Sequence, residues 1–281
     1  MEFLEQWNYY NTMTESVLNV MLDQSDAPDI LYESMKYSLF AGGKRLRPML
    51  CLATCELLGE DPTEALKAAC AIEMIHTYSL IHDDLPCMDN DDMRRGKPSN
   101  HKVYGEGNAV LAGDGLLSLA TILLSQISIQ KVFQSVARGA MDMVSGQSMD
   151  LNGLMDAETL FSIHDRKTGA LIKAAVLSGA YTANASPKQI SALTDFSEQY
   201  GMLFQITDDI LDATSTTEKI GKTAGKDERD GKLTFVTLYG VDGARSEAQR
   251  CAKKSIEALA ALELDSGFLE ELVTFTLDRQ V

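Results

Sequence analysis

The sequence predicts an all-α fold, and three observations carry that prediction. Apolar residues recur at helical spacing along nearly the whole chain of 281 residues. Alternating apolar and polar stretches of the kind a half-buried strand needs are scarce. The apolar runs open on capping and first-turn residues, such as Asp61-Pro62-Thr63 and Ser186-Pro187. With 45% apolar and 23% charged residues and no Pro/Gly/Ser-rich linker, a single domain over residues 1–281 is expected.

The elements follow in order. After Arg47-Pro48, the stripe Leu50, Leu52, Ala53, Leu57, Leu58 predicts a helix, with Pro in its first turn. A second, from Glu64 to Ile81, runs into an acidic cluster, and Pro86 marks the exit. Helices are predicted near Val110–Gln126, Lys131–Leu151, Ala157–Tyr181 and Pro187–Leu211, the last leading into a second acidic cluster. The polar segment Thr214 to Lys232 reads as a mobile loop or flap, and two or three shorter helices close the chain near Arg279. The longest uncharged run, Gly115 to Gln130, is shorter than the roughly 20 residues a membrane span needs, and it reads as a buried core helix.

The 25 Lys and Arg against 41 Asp and Glu give a net charge of -16, which repels nucleic acid and anionic membranes. A phosphorylated ligand must then be caught by local cations or by metal. The acidic N-terminus, Met1-Glu2-Phe3-Leu4-Glu5, lacks the basic residues of a targeting segment, so a cytoplasmic location is expected. Cys51, Cys55, Cys70, Cys87 and Cys251 form no Cys-x-x-Cys pair and read as reduced thiols.

The acidic clusters carry the chemistry. Asp83, Asp84 and Asp89 end one apolar helix, and Asp208, Asp209 and Asp212 end another more than a hundred residues on. Carboxylates brought together near an apolar interior repel unless cations lie between them. For oxygen-only ligands the natural cation is Mg2+, which keeps waters and takes a substrate's phosphate oxygens. Asp208 and Asp212 are four apart and share a helix face, with Gln205 a turn earlier. The run Asp89-Asn90-Asp91-Asp92 is no calcium loop, because Arg94 and Asn100 stand where Gly and Glu are required.

The basic groups are few and concentrated: Gly42-Gly43-Lys44-Arg45-Leu46-Arg47-Pro48, then Arg94-Arg95-Gly96-Lys97, and later Lys167, Lys222, Lys226 and Lys232. Arg supplies a planar fork for phosphate oxygens, Lys a compact charge, and adjacent glycines let backbone amides approach an anion. His76 lies two turns before Asp83. His82 adjoins the cluster and reads as a satisfied core histidine.

Together these motifs resemble the trans-isoprenyl diphosphate synthases, more closely the bacterial short-chain members that make farnesyl diphosphate. The residues that carry the likeness run from Gly42–Pro48 through Ser79–Pro98, Leu111–Asp114, Gly146-Gln147 and Lys167-Thr168-Gly169 to Phe204–Asp212 and Gly231–Thr234. The resemblance implies an all-helical bundle around a deep central cavity, usually a homodimer. It implies Asp83, Asp89 and Asp208 as direct ligands of three Mg2+ ions, with Mn2+ as a substitute, and Asp84, Asp209 and Asp212 in support. It assigns Arg94, Lys167, Thr168, Gln205, Lys222 and Lys232 to an allylic diphosphate site, and Lys44, Arg47, His76 and Arg95 to an isopentenyl diphosphate site.

The implied reaction joins isopentenyl diphosphate head-to-tail to dimethylallyl and then geranyl diphosphate through an allylic carbocation, giving (2E,6E)-farnesyl diphosphate. Tyr78 and Ser79 lie roughly 6 to 7.5 Å below the metals at ~1.5 Å per residue, and a ring there makes a floor. In this family a bulky floor and the four-residue gap between Asp84 and Asp89 accompany fifteen-carbon products. Some plant-type geranylgeranyl synthases share that gap, which keeps a twenty-carbon product open. A class I terpene cyclase and a non-catalytic synthase subunit fit less well, since both Asp motifs and their basic partners are intact.

Overall fold

A computed structural model describes residues 2–152, 157–214 and 233–279. Its helices are α1 (Phe3–Asp23), α2 (Asp29–Leu39), α3 (Leu46–Leu57), α4 (Leu66–Asp83), α5 (Asn100–Tyr104), α6 (Glu106–Ser125), α7 (Gln130–Leu151), α8 (Ala157–His164), α9 (Ala170–Thr182), α10 (Pro187–Thr214), α11 (Phe235–Ala260) and α12 (Gly267–Asp278). The all-α prediction holds. Among the described residues the only sheet is a two-stranded hairpin, Met93-Arg94 against Lys97-Pro98.

α4 is apolar on every side and runs through the middle of the molecule, as such a helix must. It packs against α6, α3 and α9, while α10 packs against α11 and α9. Its one buried carboxylate, Glu73, is met by Arg45 at 2.8 Å. Phe3 and Trp7 of α1 interlock with Phe268 and Phe275 of α12, which ties the first helix to the last.

The predicted caps form. Asp61 accepts from Thr63 N at 2.8 Å, though it opens a 3-10 turn, Pro62–Ala65, ahead of α4. Ser186 and Gln189 cap α10 reciprocally, Gln189 N donating to Ser186 Oγ and Ser186 N to Gln189 Oε1.

Two expectations are corrected. The uncharged run does not form one buried helix: α6 ends at Ser125, and Ala109, Ala112, Leu116, Ala120 and Leu123 face the core while Val110, Leu111, Leu117 and Ile122 are exposed. At 20 residues α6 is long and apolar enough to cross a membrane by length and composition alone. Ala157–Tyr181 is helical but not α-helical throughout, since a π turn over Asp165–Gly169 lies between α8 and α9. Among the described residues the closing segment gives three helical pieces, as expected in number, because α11 breaks at Gly240 (φ 69°, ψ 168°) before α12 follows. The proposed flap is outside the described residues, apart from Thr214 at the end of α10.

Cys51, Cys55, Cys70 and Cys251 are buried, Cys87 is exposed, and all five are free thiols.

Candidate active site

A cavity of about 360 Å³ opens between α4, α7 and the π turn. Arg47, His76, Tyr78, Ser79, His82 and Asp83 line one side, and Met143, Val144, Gln147, Ser148, Leu151, Lys167 and Thr168 the other. Asp83 belongs to the last turn of α4, so the helix presents His76, Ser79, Leu80 and Asp83 down one wall at helical spacing. The π turn carries Lys167 and Thr168 across from them. It seats tightly because Gly146 of α7 has no side chain: a Cβ there would lie 2.4 Å from Lys167 N.

Burial pushes the Asp83 carboxyl up to about 6; Asp89 and Asp84 add to the rise, and Lys167 and Arg94 oppose it. Asp89 N donates to Asp83 O at 2.8 Å, which folds the first acidic loop back over the helix end. Asp84 turns away from this mouth. It is 2% exposed and held by Arg94, whose Nε lies 3.0 and 3.2 Å from its two oxygens. Arg94 also reaches Asp91 at 3.5 Å.

The second cluster divides in the same manner. Asp209 is buried: Gln205 Nε2 donates to Oδ1 at 2.9 Å and Phe235 N to Oδ2 at 2.9 Å. Thr168 Oγ1 in turn donates to Gln205 Oε1 at 2.8 Å, so one chain of hydrogen bonds runs from the cavity to the start of α11. Asp212 is buried too, whereas Asp208 is part-exposed and faces Arg279 at 3.5 Å. Lys167 is paired with Asp150 at 2.7 Å.

The cations gather on the other rim. Arg47 is buried and makes no hydrogen bond among the described residues; its Nε is fully enclosed without a partner. Burial lowers its pKa, as it does those of Lys44 and Arg95. Arg95 donates to Gly42 O, and its guanidinium fills the space beside Gly43, where a Cβ would meet Cζ at 2.7 Å. Gly43 has φ 131°, a conformation that favours glycine there. Burial and the neighbouring Arg47, Arg95 and Arg94 hold His76 well below its usual range, leaving a neutral imidazole.

The structure therefore brings together Asp83, Tyr78, Ser79, His76, Arg47, Lys167 and Thr168 at the cavity, and places Arg95 and Asp208 near Arg47 and Lys44 near Asp208. Lys222, Lys226 and Lys232 lie outside the described residues. Sequence reasoning missed Asp150, which holds Lys167, and Arg279, which stacks over Phe204 and faces Asp208. It quoted Gln147 without a role, yet both amide atoms of Gln147 are buried without a partner beside the cavity. Only the position of Gln147 after Gly146 hinted at it.

The polyprenyl synthetase family model matches residues 28–263. The chain belongs to the polyprenyl synthetase family. It is thus a trans-prenyltransferase. It is 45% identical to farnesyl diphosphate synthase of Bacillus subtilis over 271 residues, 92% of each chain. It is 46% identical over 274 residues to the chloroplastic geranylgeranyl pyrophosphate synthase 9 of Arabidopsis thaliana, covering 91% of this chain and 76% of the plant protein. A polyprenyl synthase from Caulobacter crescentus, solved with calcium and isoprenyl diphosphate, superposes with a TM-score of 0.88 at 27% identity, over 99% of this chain and 98% of that one. This polyprenyl synthetase thus has near equal likeness to makers of two product lengths.

Proposed function

We propose that the protein condenses isopentenyl diphosphate with dimethylallyl and then geranyl diphosphate, head-to-tail, and releases (2E,6E)-farnesyl diphosphate. The observation that carries this reading is Arg47, a buried cation with no hydrogen bond among the described residues, at the wall of a cavity whose mouth holds Asp83. A buried unpaired charge is costly, and an incoming diphosphate relieves that cost.

Lys44, Arg47, Arg95 and neutral His76 hold isopentenyl diphosphate, His76 as an N–H donor and the arginines as forks. The acids suit Mg2+. They offer oxygen alone, and Mg2+ takes a few carboxylates and completes its shell with water and phosphate oxygens. Asp83, Asp89 and Asp208 would hold it directly. Bound Mg2+ would supply Lewis-acid neutralisation of the departing diphosphate. Lys167 and Arg94, with Thr168 and Gln205, orient the allylic diphosphate and offset its growing charge. Lys222 and Lys232 are assigned to the same site on the likeness alone.

Leu80, Met143, Val144 and the Tyr78 ring keep water from the allylic cation, and the released diphosphate takes up the proton lost after C–C bond formation. Tyr78, with Ser79, forms the floor that stops growth at fifteen carbons. The plant relatives support a twenty-carbon product equally well by identity.

The exposed apolar side chains of α6 (Val110, Leu111, Leu117, Ile122) and α7 (Phe133, Met141) offer a face suited to a second copy and support a homodimer in the cytoplasm. Sedimentation of the purified chain tests this, and a monomer refutes it. The activity is tested by incubating the protein with isopentenyl diphosphate, dimethylallyl diphosphate and Mg2+, then measuring diphosphate release and product mass. No diphosphate release sinks the synthase reading; a twenty-carbon product sinks the fifteen-carbon one.

A further inference from the structure

We propose that His82 is the positioning residue that sets the depth of the elongation cavity, by clamping Tyr78 between α4 and α6; this rests on the prenyl-elongation reading above. Tyr78 and His82 are four residues apart on α4 and both line the cavity. Their rings meet edge to face, with centroids 5.8 Å apart and planes at 71°. An aromatic floor works only while its ring stays in one rotamer, and the imidazole edge blocks one direction in which the Tyr78 ring could swing.

His82 is itself fixed by α6. Its Nε2 lies 3.0 Å from Val110 O, and since a carbonyl only accepts, Nε2 carries the proton and donates. One turn along α6, Gly113 makes the room: a Cβ on that residue would lie 2.1 Å from His82 Nε2 and 2.6 Å from Cδ2. The imidazole therefore sits in a slot of α6 backbone, with its N–H on the carbonyl at one end of that slot. A histidine that was merely satisfied would need the hydrogen bond alone. The slot at Gly113 and the ring contact to Tyr78 together make it a strut between two helices.

Product length then belongs to three residues on two helices rather than to Tyr78 alone, and it changes with Tyr78 intact. The test compares product masses from isopentenyl and dimethylallyl diphosphates with Mg2+ for the parent, Tyr78→Ala, His82→Ala, His82→Phe, Gly113→Ala and the Tyr78→Ala/His82→Ala double variant. Loss of the strut raises the ratio of the next-longer product to the parent product about three- to tenfold in His82→Ala and Gly113→Ala. His82→Phe, which keeps a ring edge without the N–H, gives a smaller rise. The double variant matches Tyr78→Ala, because a clamp has no effect once its ring is gone.

An unchanged ratio in His82→Ala and His82→Phe, with Tyr78→Ala lengthening the product, overturns the clamp and leaves the floor standing. An unchanged ratio in Tyr78→Ala overturns both. No diphosphate release by the parent overturns the synthase reading beneath them. If His82→Ala or Gly113→Ala does not fold, as read by far-UV circular dichroism, His82→Phe decides.

Discussion

Arg94 holds both oxygens of Asp84, so the second carboxylate of the first acidic cluster is bound by a protein cation before any metal arrives. Adjacent acids of one motif thus have different surroundings: Asp84 is buried in a guanidinium fork, and Asp83 lines the cavity. Replacing Asp84 with Asn takes away the nearest counter-charge of Arg94, leaves it the longer contact to Asp91, and lowers stability by about 1–3 kcal/mol. Asp83→Asn instead lowers kcat on the order of a hundredfold or more with little loss of stability. Thermal melts and Mg2+ titrations of turnover on the two variants separate these effects; equal melting losses would refute the division.

Arg47 gives the opposite sign. Arg47→Met keeps the stem's volume and removes an enclosed charge that has no hydrogen bond among the described residues. The variant melts at or above the parent's temperature, while its KM for isopentenyl diphosphate rises about ten- to a hundredfold. A destabilised variant with unchanged KM would show Arg47 to be structural.

Tyr78→Ala opens the floor of the cavity and lengthens the product by at least one isoprene unit. Chromatography of dephosphorylated products reads this directly, and a persistent fifteen-carbon alcohol would clear Tyr78 of the role.

His164 makes the fold acid-labile. Burial holds its imidazole down to about 4 against an ordinary value of 6.5, and it stacks on Phe235 at 5.5 Å. Below pH 6.5 the unfolded chain takes up a proton that the folded one refuses, so stability is lost as pH falls from 6.5 toward 4. By pH 4.5 the loss is on the order of 2 kcal/mol. His164→Phe keeps the stack and removes that slope. Urea midpoints at pH 7 and 4.5 for parent and variant check it, and identical shifts in the two would exclude His164.

The helices and both acidic clusters were legible because they rest on local signals: periodicity, Pro and capping residues, and runs of like side chains. The partition inside each cluster was not. Asp208 and Asp212 share a helix face by spacing, yet Asp209 is the acid that Gln205 and Phe235 N engage, and Phe235 lies beyond a segment whose length says nothing about where it returns. Arg279 was illegible for the same reason: its place beside Asp208 depends on the aromatic packing of α12 against α1. The outer face of α6 was misread because an uncharged run has no polar stripe to mark which side meets solvent.

The π turn at Asp165–Gly169 has a consequence for how this chain tolerates change in length. A π turn accommodates one residue more than an α-helix uses over the same rise, so deleting a single residue there would let α8 and α9 fuse into one regular helix. Because the extra residue is taken up within the turn, that deletion would leave α8 and α9 in phase and change the directions of Lys167 and Thr168 between them. The active site is therefore keyed to an odd residue in the count, and a shortening that would pass unnoticed in a loop would here misdirect two of the groups aimed at the substrate.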